Sequence, residues 1–138
     1  MQLTLTFATT GREQLLDITQ AVNKALADAA VSEGMLHLWC PHTTAGLTVN
    51  EGADPDVAAD LLSALRRIVP ESGFRHAEGN SPAHVMAMLT GPSRQIVVKA
   101  GRLALGRWQS LFLCEFDGPR TRSVQLSFLP TTQTVTNR

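Results

Sequence analysis

The chain begins and ends with segments in which every second residue is apolar. Residues 1–7 follow this alternation, and residues 124–128 repeat it near the end. A two-residue period predicts strands with one buried face and one solvated face. Residues 35–40 and 108–116 instead carry apolar side chains on both faces, which is typical of strands covered from both sides. A short apolar run at 96–98 predicts one more strand between them.

Between these strands, apolar residues recur at the spacing of a helix. The first such segment, residues 18–29, follows Asp17, which we expect to cap the helix. The second, Asp54–Ile68, and the third, Ser81–Leu89, each begin with a capping residue followed by proline. Strands at the start, middle and end, with about three helices grouped between them, predict an α+β fold built mainly as an antiparallel β-sandwich.

Size and composition are those of one globular domain spanning residues 1–138. The chain has 138 residues, 43% of them hydrophobic, and a formal net charge of zero, so we expect no binding to nucleic acid or to an anionic membrane. No apolar run approaches the roughly 20 residues needed to cross a bilayer. The first residues lack the pattern of a secretory leader, and Cys40 and Cys114 form no disulfide framework, which together favour a cytoplasmic protein with buried thiols. The polar tail from Thr131 is expected to fray.

Three of the four histidines stand in two polar segments. His42 follows the strand predicted at 35–40, while His76 and His84 lie around the start of the third helix. Neutral imidazole is a common zinc ligand, and three such ligands leave a coordination position open for water or substrate. We therefore expect one divalent metal ion, zinc in the first place, bound by His42, His76 and His84. The alternative is three ordinary hydrogen-bonding histidines, because their spacing matches no local metal motif; His37 is interpreted as structural.

Polar residues beside these histidines predict that an oxyanion binds. Asn80 and Ser81 follow a glycine at a helix start, where free backbone N–H groups can hold a phosphate or carboxylate. Arg120 follows a Gly-Pro turn, and its planar guanidinium group suits a bidentate grip on phosphate. An ordinary N-cap and a solvated turn arginine are the alternatives. Asp54 is expected to cap a helix, so Glu51, which lacks that role, is the candidate general base or histidine partner.

Several polar motifs together resemble the YjbQ-like family. In chain order the motifs are His42-Thr43-Thr44-Ala45, Asn50-Glu51, Asp54-Pro55-Asp56, His76, Glu78-Gly79-Asn80, Ala83-His84, Ser93, Gly101-Arg102, Leu105-Gly106-Arg107-Trp108-Gln109 and Glu115-Phe116-Asp117-Gly118-Pro119-Arg120. The resemblance implies an α+β sandwich, a homotrimer with sites near subunit boundaries, and a metal on the three histidines. It also implies secondary thiamine-phosphate synthase activity, the joining of a hydroxymethylpyrimidine diphosphate to a thiazole phosphate. The strand at 108–116, apolar on both faces, also favours a homotrimer.

Two classes of function follow from these residues. The first is a metal-dependent enzyme acting on a small phosphorylated metabolite, in which Asn80, Ser81 and Arg120 hold phosphate oxygens and Glu51 is the general base. The second is a non-catalytic protein that sequesters a metabolite or metal in the same pocket. Release of pyrophosphate separates the two. A metal-dependent hydrolase, with a nucleophilic water at the open coordination position, is a third hypothesis.

Overall fold

The computed structural model describes residues 1–132, in which three helices and eight strands form the α+β fold predicted from the sequence. The elements are β1 (Gln2–Ala8), β2 (Gln14–Asp17), α1 (Thr19–Asp28), β3 (Gly34–Trp39), β4 (Ala45–Glu51), α2 (Pro55–Ile68), α3 (Ser81–Thr90), β5 (Ser93–Lys99), β6 (Arg102–Leu103), β7 (Gln109–Glu115) and β8 (Thr121–Pro130). The polar tail predicted from Thr131 falls, beyond Thr132, outside the described residues.

The strands form two antiparallel sheets that pack face to face. The five-stranded sheet has the order β1-β8-β3-β5-β6, and the three-stranded sheet has the order β2-β7-β4. Inward side chains of both sheets and of α1 make the main core, because alternate residues of each strand point the same way. Fully buried members include Leu36, Leu38, Leu47, Leu111, Leu113, Val124 and Leu126.

Strand β7 is buried on both faces, as the sequence predicts. Leu111 and Leu113 face the main core, whereas Phe112 and Cys114 face a second apolar cluster that includes Met86 of α3. The helices α2 and α3 therefore cover the outer face of the three-stranded sheet within one protomer. For this reason the two apolar faces of β7 are no evidence for a partner subunit, and that reason for expecting a homotrimer is wrong.

Two strands of the three-stranded sheet were not predicted from the sequence, and neither was the two-residue strand β6. Strand β4 contains Gly46, where an added Cβ atom would lie 2.8 Å from the carbonyl oxygen of Gly91. The next residue, Leu47, donates its N–H to that same oxygen at 3.0 Å. The end of α3 thus holds β4 in place through contacts distant in sequence. Strand β2 has only four residues, too few to show an alternating pattern.

The helix starts agree with the sequence in part. Asp54 caps α2 as predicted, accepting the Asp56 N–H at 2.9 Å. Asp17 accepts the Thr19 N–H at 3.0 Å, but the N-cap position of α1 is the following residue. The prediction that Ser81 caps α3 is wrong, because Asn80 occupies the N-cap and Ser81 is already helical. No helix in residues 1–132 is long and apolar enough to cross a membrane.

Candidate functional site

An open cleft of about 460 Å³ lies at one end of the sandwich. At this end β3 and β7 finish and β4 and β8 begin, as the pairing of Trp39 with Gln125 and of Ala45 with Glu115 shows. The loop before α3 and the first turn of that helix close the side of the cleft. We call it the histidine cleft. It is lined by Pro41, His42, Thr43, Thr44, His76, Glu78, Asn80, His84, Asp117, Arg120 and Arg122.

Most of the site residues predicted from the sequence meet in this cleft. His42, His76 and His84 all line it, together with Asn80 and Arg120. These residues come from three separate segments, so only the folded chain brings them together. Ser81 does not line the histidine cleft; it borders a neighbouring cavity of about 130 Å³, because the helix starts one residue earlier than predicted.

Glu51 lies at the opposite end of β4 from the histidine cleft. Seven residues of extended strand separate the two ends, a distance of roughly 20 Å. Its carboxylate accepts the N–H groups of Ala53 at 2.6 Å and of Asp54 at 3.0 Å. Asp54 caps α2, as expected, but Glu51 is not free, because its carboxylate holds the turn before the helix. Within one protomer it does not reach the cleft that it was expected to serve as general base.

His76 and His84 form a close pair in the cleft. Their ring centroids lie 5.7 Å apart with the rings edge to face. Two imidazoles on one tetrahedral zinc ion, each with a Zn–N bond of about 2.0 Å, have ring centres roughly 5 Å apart. The Glu78 carboxylate lies 3.8 Å from His76 Nε2. The separation of the two rings is therefore near that expected for two imidazoles bound to one ion.

His42 is bound differently from the other two histidines. Its Nε2 accepts the backbone N–H of Ser123 at 2.9 Å. Burial and then the positive charge of Arg122 lower the pKa of His42 below its ordinary value of 6.5, against smaller opposing contributions from the backbone of Ser123 and from Glu115, which favours the neutral ring. Within residues 1–132 the side chains form no ready-made group of three or more metal-ligating residues. His42 differs from the other two histidines because its Nε2 is already engaged by the main chain.

A buried ion pair under the cleft was missed by sequence reasoning. Glu115 is completely buried and Arg122 is 4% exposed. Arg122 Nε lies 3.0 Å from both carboxylate oxygens of Glu115, and its Nη2 donates to the Thr44 hydroxyl at 2.8 Å. The Thr9 hydroxyl donates to Glu115 Oε1 at 2.7 Å. The pair thus ties the loop after β1, the residue before β4, β7 and β8 together beneath the histidines.

The electrostatics of this pair favour the ionised carboxylate. Burial alone would raise the pKa of Glu115, but the hydrogen bonds from Arg122, Thr9 and the backbone of Asp117 outweigh it and lower the pKa. A signal for the pair was present in the sequence. Arg122 has the parity of the apolar residues of β8, and Glu115 is the one charged residue in the apolar segment 108–116.

Asp117 links two of the predicted phosphate-binding residues. It accepts the Asn80 amide at 3.0 Å and Arg120 Nη2 at 2.9 Å, and its carbonyl oxygen accepts Arg120 Nε at 2.7 Å. Burial would raise the pKa of Asp117, but these hydrogen bonds and the charge of Arg120 lower it below its ordinary value. Arg120 therefore has one edge engaged and one edge free. In the described residues the buried Asn80 Oδ1 has no hydrogen-bond partner.

The two cysteines are buried and unpaired with each other, as the sequence predicts. Burial raises the pKa of the Cys40 thiol and raises that of Cys114 to about 12. Both thiols are therefore protonated near neutral pH, and neither is available as a thiolate nucleophile.

The fold and the cleft define a class of small antiparallel α+β sandwiches with histidines and arginines gathered at one end. Residues 3–131 match the model of the family described as UPF0047 protein YjbQ-like. The UPF0047 protein YugU of Bacillus subtilis is 43% identical over 131 residues, covering 94% of this chain and 99% of that protein. The chain therefore belongs to the YjbQ-like family, and the resemblance seen in its motifs is confirmed.

Solved structures give the same result. An uncharacterized conserved protein of this family from Clostridium acetobutylicum is 46% identical, covers 92% of this chain and 99% of its own, and has a TM-score of 0.88. A hypothetical protein from Aeropyrum pernix K1 is 36% identical, with coverage of 95% and 99% and a TM-score of 0.89. These likenesses establish the family and the fold, so the function has to be argued from the cleft.

Proposed function

We propose that this protein is an enzyme that acts on a small phosphorylated metabolite in the histidine cleft, with a divalent metal ion. One observation carries the proposal. Three imidazoles and two guanidinium groups, from segments distant in sequence, converge on one open cleft. Imidazoles suit a metal, guanidinium groups suit phosphate, and such convergent polar groups in a concave site are typical of ligand-binding centres.

His76 and His84 would hold the metal ion, with zinc the first choice for imidazole ligands. When bound, the ion would act as a Lewis acid that offsets negative charge on phosphate oxygens. The two histidines support this role because their rings are close together and are not engaged by the main chain of the described residues.

The phosphate would be held by the free edges of the two cleft arginines. Nη1 of Arg120 and Nη1 of Arg122 have no hydrogen-bond partner in residues 1–132, whereas the other guanidinium nitrogens are engaged. Because Glu51 lies elsewhere, the proton acceptor we propose for a hydrolytic reaction in the same cleft, where a water molecule would be the nucleophile, is Glu78. Its carboxylate lines the cleft and, unlike Asp117, has no arginine partner in the described residues.

The first reaction to test is the one that the family resemblance implied, weak thiamine-phosphate synthesis. The ring nitrogen of a thiazole phosphate would form a C–N bond to the methylene carbon of a hydroxymethylpyrimidine diphosphate while the C–O bond to the diphosphate breaks. The attacking nitrogen carries no proton, so this step needs no general base. Arg120 and Arg122 would stabilise the charge that builds on the departing diphosphate oxygens. This reaction suits a cleft with two arginines and a metal ion, since it needs groups that bind the phosphate of one substrate and groups that bind the leaving diphosphate of the other.

Calorimetric titration of hydroxymethylpyrimidine diphosphate in the presence of zinc tests the proposal. Arg120→Lys keeps the charge but loses the planar fork, so we expect affinity to fall roughly tenfold. Arg102→Lys, at an exposed position in β6, is the matched control and should change nothing. Equal affinity in the wild type and Arg120→Lys, or no binding in either, would contradict the proposal.

A non-catalytic binding protein is the second candidate, and one observation favours it. Each cleft arginine is already paired with a carboxylate, Arg120 with Asp117 and Arg122 with Glu115, so the lining has little net positive charge to stabilise a transition state. Pyrophosphate release, measured on the same samples, separates the two candidates. A binder retains its affinity for the diphosphate but releases no pyrophosphate when the thiazole phosphate is added.

We also propose that the protein is a homotrimer. Supporting it, the outer face of the five-stranded sheet exposes Trp39, Val97 and Leu129, and Met35 lies between the last two in the strand register. A row of apolar side chains on an uncovered sheet face is typical of a protein interface. Light scattering on a sizing column should give three times the chain mass of 14.9 kDa. A monomer persisting at micromolar concentration would contradict this.

A further inference from the structure

The position of His42 follows from the way the ladder between β3 and β8 ends. The strands are antiparallel and Trp39 is the last paired residue of β3, opposite Gln125. Two steps further, Ser123 of β8 faces Pro41, which lies beyond the end of the strand. At this point the main chain of β3 supplies no acceptor for the backbone N–H of Ser123. The ring of His42 supplies the acceptor that a longer β3 would have provided.

This contact fixes the protonation state of the ring. His42 Nε2 lies 2.9 Å from the Ser123 nitrogen, whose N–H is a donor, and 3.3 Å from the Ser123 hydroxyl, which can either donate or accept. Because the backbone N–H can only donate and is the closer group, Nε2 must offer a lone pair. The neutral ring then carries its proton on Nδ1. A proton on Nε2 would place two donors against each other, and rotating the ring by half a turn would put a carbon atom opposite the Ser123 N–H.

We infer that His42 is not a metal ligand but a fixed hydrogen-bond donor, whose Nδ1–H binds an acceptor atom of the ligand in the histidine cleft. One nitrogen is engaged by the backbone and the other carries the proton, so the ring has no lone pair for a metal ion. His42 lines the cleft, and in the described residues its Nδ1 is neither buried nor bonded to a protein acceptor.

The contrast with the other two cleft histidines supports this division of roles. Neither His76 nor His84 accepts a hydrogen bond from the main chain of residues 1–132, so each keeps a nitrogen lone pair for a metal. The tautomer and the exclusion of His42 from the metal rest on the β8 contact alone. The ligand acceptor, a phosphoryl oxygen, rests on the function proposed above.

Nuclear magnetic resonance of protein labelled with ¹⁵N at histidine tests the first part without any mutation. The chain has only four histidines, so the ring nitrogens can be assigned one by one. We expect His42 to show the Nδ1–H tautomer. On addition of zinc alone, the ring nitrogens of His76 and His84 should shift strongly while those of His42 keep their tautomer.

An Nε2–H tautomer, or a zinc-induced shift at a His42 nitrogen as large as that at His84, would overturn the inference. If no histidine responds to zinc, the metal in the proposed function is refuted, while the tautomer of His42 still decides the inference. The two failures are therefore distinguishable.

Variants test the donor role with zinc and inorganic pyrophosphate as probes. His42→Asn keeps an N–H near the position of Nδ1, and His42→Phe removes it. We expect both to bind zinc within about threefold of the wild type, whereas His84→Asn loses roughly a hundredfold. His42→Phe should bind pyrophosphate about tenfold more weakly, with His42→Asn closer to the wild type. A loss of zinc affinity in His42→Asn equal to that in His84→Asn, or unchanged pyrophosphate affinity in His42→Phe, would overturn the inference.

Discussion

The two ends of the three-stranded sheet carry similar polar residues but use them differently. At the end far from the histidine cleft, Glu51 accepts the N–H groups of Ala53 and Asp54, and Gln109 accepts the N–H of Gly106 at 2.8 Å. All these bonds join residues within three positions of each other. The cleft end has short-range bonds too, such as that between Arg120 and Asp117, but several of its bonds join segments far apart in the chain, such as His42 with Ser123 and Thr9 with Glu115.

This difference separates turn formation from site formation. A short-range hydrogen bond stabilises a turn, and it can form without the rest of the fold. A long-range bond exists only when the sheets are assembled, so the groups in it depend on the whole fold and the fold depends on them. Polar side chains therefore hold turns at one end of the sheet and contribute to the site at the other.

The largest expected effect is at Glu115. Replacing Glu115→Gln leaves the charge of Arg122 buried without its counter-ion, which costs about 3–5 kcal/mol of unfolding free energy. Urea denaturation followed by circular dichroism would measure the loss. If Glu115→Gln lowered the free energy of unfolding no more than Glu51→Gln does, the proposed difference between the two ends would be contradicted.

The pH dependence of stability tests the contribution of the ionised Glu115 separately. The folded state lowers the pKa of Glu115 below its ordinary value of 4.5, so its contribution is complete above that pH. As the pH falls below 4.5 and through the lower folded value, the carboxylate takes up a proton and the contribution is lost. We expect the wild type to lose stability in this window faster than Glu115→Gln, and parallel curves for the two proteins would contradict the assignment.

An intermediate effect is expected at Asp117. Replacing Asp117→Asn removes the ion pair with Arg120 and weakens the bond from Asn80, at a cost of about 1 kcal/mol, because Arg120 is about half exposed. The double exchange of Asn80→Asp with Asp117→Asn restores a bond between the two side chains and is the matched control. A single variant as stable as the wild type, or a double variant less stable than the single one, would contradict this account.

The sequence predicted what depends on neighbouring residues. The cap and proline at the start of α2 identified that helix to the residue, because Asp54 bonds within its own first turn. The two apolar faces of β7 were also evident from its sequence. The three histidines and Arg120 were recognised from their residue types and polar surroundings, and the fold then brought them to one cleft.

What the sequence did not predict depends on contacts distant in the chain. The Glu115–Arg122 pair joins two strands across a turn, and neither residue alone has a motif. The acceptor role of His42 follows from where β3 stops opposite β8, which is a matter of sheet register. Glu51 shows the opposite error, because its residue type suited a general base while its carboxylate is engaged by the N–H groups of Ala53 and Asp54 in the turn before α2.

The smallest effect is expected at Glu51, and this variant tests most directly whether the far end of the sheet lies outside the site. In Glu51→Gln the amide oxygen still accepts the N–H groups of Ala53 and Asp54, so we expect a loss below about 1 kcal/mol and unchanged affinity for the phosphorylated ligand. Denaturation and calorimetry on one preparation would test both. A folded Glu51→Gln variant that binds normally but has lost turnover would mean that Glu51 acts in catalysis after all. Since the two ends lie roughly 20 Å apart within a protomer, Glu51 would then have to reach the cleft of a neighbouring subunit, and the far end would belong to the site.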